Sequence, residues 1–161
     1  MKRLKFLIVF LIFTGFTARA DLLTPFTDVV LKSVEPGKEY ILKGPNNKSF
    51  MVKNTSNSKI KVEIKVGKPA KSDLKEDYKK IPDTDWISLK DKNLTVGPGE
   101  WNQTEIVLKV PDEKKYFGNR YQAYIQTRTA EGKIRAGLRS RILFTVGERK
   151  GIFKRIFWFL R

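Results

Sequence analysis

The chain has 161 residues, with 33 Lys and Arg against 17 Asp and Glu, for a formal net charge of +16. It contains neither Cys nor His, which excludes disulfides, thiolate and imidazole metal sites, and Ser/His or Cys/His nucleophiles. This length fits one domain with a modest core, held by packing alone.

The first element is a leader. Lys2, Arg3 and Lys5 precede an apolar run from Phe6 to Phe16, and Thr17-Ala18-Arg19-Ala20 follows before Asp21. A charged start, an apolar middle and an A-x-A end predict a cleavable secretory signal over 1–20. The run is shorter than the roughly 20 apolar residues that span a bilayer, which weighs against an uncleaved N-terminal anchor. No Cys follows the cleavage point to carry a lipid. Cleavage removes Lys2, Arg3, Lys5 and Arg19 and no acid, leaving an excess of about +12 that favours anionic partners. Export without Cys fits a bacterial envelope, as a periplasmic or membrane-peripheral protein.

The rest of the chain reads as short β-rich runs punctuated by Gly, Pro and Asn. Thr27 to Val34 is the first, closed by Glu35-Pro36-Gly37-Lys38, where Pro presets φ and Gly supplies φ > 0. Glu39 to Lys43 and Ser49 to Lys53 flank Gly44-Pro45-Asn46-Asn47. Asn54-Thr55-Ser56-Asn57 leads into Lys59 to Val66, where Ile60, Val62, Ile64 and Val66 alternate with Lys59, Lys61, Glu63 and Lys65. That is the period of a half-buried strand.

Gly67 to Asp85 is polar and predicts a solvated loop with room for one helical turn. Trp86 to Leu89 and Asn93 to Val96 are short strands, and Gly97-Pro98-Gly99 is a second turn. Thr104 to Val110 predicts one long strand with Thr104, Ile106, Leu108 and Val110 on one face. Tyr121 to Thr129 and Gly137 to Val146 form a last pair around Ala130-Glu131-Gly132-Lys133. In the final run Leu138, Ser140, Ile142, Phe144 and Val146 share a face, with Arg139 and Arg141 opposite. The prediction is all-β: about seven to nine short antiparallel strands over 21–147 in an immunoglobulin-like sandwich. A barrel of similar strand count is the alternative.

A basic, aromatic tail follows over 148–161. Ile152, Phe153, Ile156, Phe157 and Leu160 fall on one helical face, Trp158 and Phe159 widen it, and Lys150, Lys154, Arg155 and Arg161 sit beside it. It is too short to cross a bilayer and suits the headgroup layer or a partner groove. The competing expectation is that these aromatics pack back on the sandwich.

Several segments together resemble the immunoglobulin-like domains of bacterial envelope proteins, including periplasmic pilus-chaperone domains. They are Val52-Lys53-Asn54-Thr55-Ser56 before the Ile60 to Val66 strand, Trp86-Ile87-Ser88-Leu89, Leu94-Thr95-Val96-Gly97-Pro98-Gly99-Glu100, Val107-Leu108-Lys109-Val110-Pro111, and Gly118-Asn119-Arg120-Tyr121-Gln122-Ala123-Tyr124-Ile125. The resemblance covers Val34 to Val146 and implies a fold rather than an activity. A pilus chaperone has two such domains and holds a subunit carboxylate between them. This chain has room for one, so no anchor residue is carried over.

In an immunoglobulin-like topology the third strand shares a sheet with the last two. The outward residues would then be Lys59, Lys61, Glu63 and Lys65, then Gln122, Tyr124, Gln126 and Arg128, then Arg139, Arg141 and Leu143. The candidate docking face is Lys59, Lys61, Lys65, Tyr124, Arg128, Arg139 and Arg141. The candidate membrane or partner tail is Ile152, Phe153, Lys154, Arg155, Ile156, Phe157 and Trp158. The alternative for the face is an ordinary solvated surface whose lysines discourage edge pairing. Asp73, Glu76, Asp77, Asp83 and Asp85 lack calcium-loop spacing. Trp86 and Trp101 are expected to pack in the core or at a sandwich end, with sugar stacking on their faces as the alternative.

These readings point to an exported, non-catalytic binding or structural module that contacts an envelope protein or an anionic membrane. A chaperone-like assembly factor is the first alternative and a carboxylate-based glycan hydrolase the second. No cofactor, nucleic acid or small-molecule substrate is expected. The charge alone permits nucleic acid, but the leader and the lack of a recognition helix argue against it.

Overall fold

The computed structural model describes residues 22–130 and 137–147. The predicted leader, most of the last turn and the predicted tail lie outside the described residues. The fold is all-β, as expected, with twelve strands among the described residues in two layers.

The first layer runs in the order β2 (Asp28–Val34), β12 (Gly137–Val146), β11 (Arg120–Thr129), β5 (Ile60–Gly67) and β8 (Asn93–Val96). A two-residue β6 (Lys79–Lys80) pairs with β11 beyond the point where β5 leaves it. The second layer has two parts. In one, β4 (Phe50–Asn54) lies between β1 (Leu22–Leu23) and β9 (Trp101–Thr104); in the other, β10 (Ile106–Lys109) lies between β3 (Glu39–Ile41) and β7 (Ile87–Leu89).

The count exceeds the expected seven to nine because several chain segments are split. Residues 22–34 start beside β4 in one layer and finish beside β12 in the other. Residues 87–96 do the same, from β10 to β5. These crossings close both flanks of the sandwich. They also correct the all-antiparallel expectation. The segment that crosses from β4 arrives at β12 running in β12's own direction, so that pairing is parallel, as is β6 with β11.

The predicted long strand Thr104 to Val110 keeps its buried face, with Thr104, Ile106, Leu108 and Val110 all buried. Its pairing changes at Glu105: β9 pairs with β4, and β10 with β3 and β7. The cause lies across the sheet. Residues 43–48 loop out between β3 and β4 through the 3-10 turn Pro45–Asn47, closed by the Gly44 amide donating to the Lys48 carbonyl at 2.9 Å. Asn46 and Asn47 both take positive φ there, which Asn tolerates better than other side chains. The two predicted Pro-Gly turns form as expected. Gly37 has φ +79° and Gly99 has φ +71°.

The alternation predicted for Ile60 to Val66 holds, with Val62 and Ile64 fully buried and Lys61 and Lys65 exposed. The core joins both layers through Phe26 and Phe50, edge to face at 5.1 Å, and through Ile64, Ile106, Leu108, Ile125 and Ile142. At one end Trp86 stands edge-on to Tyr116 (4.6 Å) and Tyr121 (5.4 Å), with Phe144 at 6.4 Å. Burial pushes the Tyr121 phenol above its usual pKa. Trp86 is therefore a core residue, as expected. Trp101 is not: it is 44% exposed on β9, under the Lys53 ammonium at 5.7 Å.

Replacing Trp86 with Ala empties the centre of the aromatic cluster, and a loss of about 3–5 kcal/mol is expected. Urea unfolding followed by tyrosine fluorescence measures it; a loss below about 1 kcal/mol would mean the cluster does not anchor that end.

Candidate functional site

The expected docking face lies on the outer side of β5, β11 and β12, which are neighbours as predicted. Its availability differs from expectation. In β11, Tyr121, Ala123 and Ile125 enter the core, while Gln122 and Tyr124 point outward and are nonetheless buried, as is Leu143 opposite Gln122 on β12. Something covers this half of the face.

The cover is the polar stretch predicted to be a solvated loop. After Gly67 the chain leaves β5, passes through a 3-10 turn at Lys71–Asp73 and returns as β6 beside Tyr121 and Gln122. This strap, residues 68–80, is tied down by one amide. Gln122 has 0% exposure; its Nε2 donates to the Asp73 carbonyl at 2.8 Å and its Oε1 accepts from the Lys75 amide at 2.9 Å. The Tyr124 hydroxyl donates to the same Asp73 carbonyl at 3.3 Å and accepts from Gln122 Nε2 at 3.2 Å. The Ile81 amide donates to the Gln122 carbonyl at 2.9 Å. Lys79 donates to Asn119 Oδ1 at 2.8 Å, and Lys68 donates to the Pro82 carbonyl. A buried amide leaves no donor or acceptor idle when its partners are backbone groups of one crossing segment.

Tyr124 is therefore covered, which corrects its assignment to an exposed face. The arginines remain at the surface but are matched by acids. Arg139 pairs with Asp73 at 3.0 Å and lies 4.8 Å from the Tyr124 ring centroid. Arg128 and Lys65 converge on Glu63 at 2.7 and 2.6 Å. Arg141 grips Asp28 through two nitrogens, each at 3.2 Å, and Arg120 reaches Asp77 at 3.5 Å. The two cations hold the Glu63 carboxylate below the ordinary Glu pKa through hydrogen bonds from Lys65 and Arg128. Lys59 and Lys61 are exposed at the far end of the face. The exposed cations shift to the strap: Lys71, Lys75 and Lys80 take no part in any of the ion pairs above and face solvent.

The acid-rich stretch has structural roles. Asp73 and Asp77 pair with arginines, and Asp83 caps the 3-10 turn Thr84–Trp86 by accepting from the Asp85 amide at 3.0 Å. Among the described residues no group of three or more His, Cys, Asp or Glu could hold a metal ion. The tail residues Ile152, Phe153, Lys154, Arg155, Ile156, Phe157 and Trp158 lie outside the described residues.

Sequence reasoning missed one concavity. Where β5 passes beyond its partner β8, its rim faces the open edge of β7. The two bound a groove of about 600 Å³ lined by Ile64, Lys65, Val66, Ile87, Leu89 and Lys92, with Thr84 and Asp85 at one end and Ser88 on its rim. The sequence signal was the unbroken alternation of Ile60 to Val66 set against a β8 only four residues long.

No protein-family model and no curated protein matches the chain. Solved structures do. The ASH/PapD-like domain of human CEP192 (PapD-like domain 7) aligns with TM-score 0.58 and 10% identity, covering 81% of this chain and 88% of that one. The Pseudomonas aeruginosa CupB2 chaperone aligns with TM-score 0.52 and 13% identity, covering 84% and 61%. The Salmonella enterica SafA pilin in complex with the SafB chaperone aligns with TM-score 0.53 and 14% identity, covering 90% and 64%. The chain thus spans less than two thirds of the length of the latter two. At these identities the likeness establishes the fold: an immunoglobulin-like sandwich resembling PapD-like and pilus-chaperone domains.

Two outcomes test the covered face. In Gln122→Ala the Lys75 amide loses its partner and the Asp73 carbonyl keeps only the Tyr124 hydroxyl, for an expected cost of about 1–3 kcal/mol. Trypsin should then cut first after Lys71 or Lys75; unchanged cleavage would show that Gln122 does not tie the strap. In a pH titration followed by carboxyl NMR, Glu63 should titrate below the ordinary Glu range. A folded pKa below the unfolded one means its stabilisation is present above the unfolded value and is lost as pH falls through the folded one. An ordinary midpoint would break the assignment of Lys65 and Arg128 as its partners.

Proposed function

We propose that this chain is an exported, non-catalytic binding module of a bacterial envelope, which engages a protein partner while its cations hold it near an anionic membrane surface. The observation that carries this reading is the distribution of charge over the sandwich. The four described arginines, Arg120, Arg128, Arg139 and Arg141, are committed to acids within the domain, whereas Lys71, Lys75 and Lys80 of the strap are exposed with no such commitment. Mobile, solvated ammonium groups act as a diffuse attraction rather than a fixed recognition fork. The basic aromatic tail over 148–161 adds the same chemistry with apolar depth, as an amphipathic segment at a bilayer surface requires. The leader over 1–20 supports export.

A chaperone-like assembly role is a second reading. It is favoured by the fold likeness to the CupB2 chaperone and to the SafA pilin–SafB chaperone complex. The same fold also belongs to a human CEP192 domain, so the likeness alone selects no partner.

The test is sedimentation with phosphatidylglycerol vesicles. Binding of the purified chain is expected at about 20 mM salt and should weaken strongly near 300 mM, where screening shortens to a few ångströms. Lys71→Glu, Lys75→Glu and Lys80→Glu together should lower the affinity about tenfold or more, and deletion of 148–161 should lower it further. If the intact chain ignores the vesicles at low salt, the membrane half of the proposal fails.

A further inference from the structure

We propose that the groove between β5 and β7 accepts an extended peptide strand from the partner polypeptide, with an acidic residue at the Lys92 end and a basic residue at the Asp85 end. This deepens the protein-binding reading and rests on it.

The backbone supplies the first reason. β7 is the outermost strand of its part of the second layer, paired only with β10 through Ile87↔Leu108, Ser88↔Val107 and Leu89↔Ile106. The Lys90 amide donates to the Glu105 carbonyl at 3.0 Å. Antiparallel alternation then aims Ser88 and Lys90 at β10 and turns the Leu89 N–H, the Leu89 C=O and the Ile87 C=O outward. The Ile87 N–H closes the preceding 3-10 turn by donating to the Thr84 carbonyl. On the opposite wall the Ile64 amide donates to the Lys92 carbonyl at 2.7 Å, and the same alternation directs the Val66 amide into the groove. These groups form the backbone edge to which an added strand bonds.

The side chains supply the second. Val66 and Leu89, both half-buried, offer apolar contact to alternate residues of a guest strand, with the buried Ile64 and Ile87 behind them. The cavity of about 600 Å³ is of the size that holds a short segment. The strap is what keeps it open: it turns away from the rim after Gly67 and crosses the outer face instead.

Charge selects the guest. The ionisable groups lining the groove are Lys65, Asp85 and Lys92. Lys65 is occupied by Glu63 at 2.6 Å. Asp85 and Lys92 are exposed and enter no ion pair with each other or with Glu63. They stand at opposite ends, since Asp85 precedes Ile87 and Lys92 follows Leu89 beside Ile64. A strand with an acid and a base at its two ends matches both, and one with the charges exchanged meets repulsion at both.

The experiment titrates the purified chain, without lipid, with fluorescein-labelled hexapeptides of alternating Val and Thr carrying Glu at one end and Lys at the other, in both chain directions. One direction should bind saturably, at least about fivefold tighter than the other, as expected for one or two exposed pairs. Amide exchange at Leu89 and Val66 should slow about tenfold in the complex. Lys92→Glu and, separately, Asp85→Lys should each reduce or invert the preference, and both positions are exposed enough to leave folding intact. No binding overturns the proposal, as does binding without protection at Leu89 and Val66, or binding indifferent to peptide polarity. Because no vesicle is present, a failure here leaves the membrane result standing, and the reverse also holds.

Discussion

A primary amide sealed beneath a crossing segment decides which surfaces this molecule offers. Gln122 sits where period-two alternation would expose it. It stays buried because two backbone groups of the strap and the Tyr124 hydroxyl meet its side chain. Burying an amide costs several kcal/mol unless its hydrogen bonds are remade, so the strap is held in place by the penalty of leaving. Everything beside it follows. Tyr124 and Leu143 are covered, Asp73 is brought to Arg139, and the rim between β5 and β7 is left without a filling strand.

The sandwich itself was legible in the sequence, because its signals are local. Alternation in Ile60 to Val66 and in the last strand, and Gly at Gly37 and Gly99, state their own geometry. The failures were all non-local. Nothing near Thr104 to Val110 announces a change of partner at Glu105; the cause is a loop between β3 and β4 across the sheet. Gln122 and Tyr124 read as solvent-facing because polar side chains usually are, and the segment that covers them lies about fifty residues upstream. Trp101 shows the converse. Its size predicts burial, but Leu23, Lys53 and Trp101 form one cross-strand row on the outer face, with Leu23 51% exposed. The candidate face was placed on the right strands and misjudged in its chemistry, since composition counts arginines without showing the carboxylates that meet them.

Charge in this chain therefore works at two ranges. Exposed ion pairs such as Arg128–Glu63 contribute little stability, because water and salt screen them. Their greater effect is to remove arginine forks from the surface, where they would otherwise seize phosphate or carboxylate in fixed geometry. What remains at the surface of the described residues is an excess of exposed lysines, whose solvated ammonium groups give a diffuse positive field rather than a fixed fork.

Unprotected strand edges are hazards that proteins normally blunt. β2, the edge of the first layer, shows the usual guards: Lys32, a positive φ at Ser33, and a register shift against β12 between Phe144 and Val146. β1 is two residues long. β7 shares only shortness with these; its three residues, Ile-Ser-Leu, pair with β10 in unbroken register and turn the Leu89 backbone toward a groove of mixed polarity. Asp85 and Lys92 flank it, and opposite charges at its two ends disfavour strands of mismatched charge order rather than all strands.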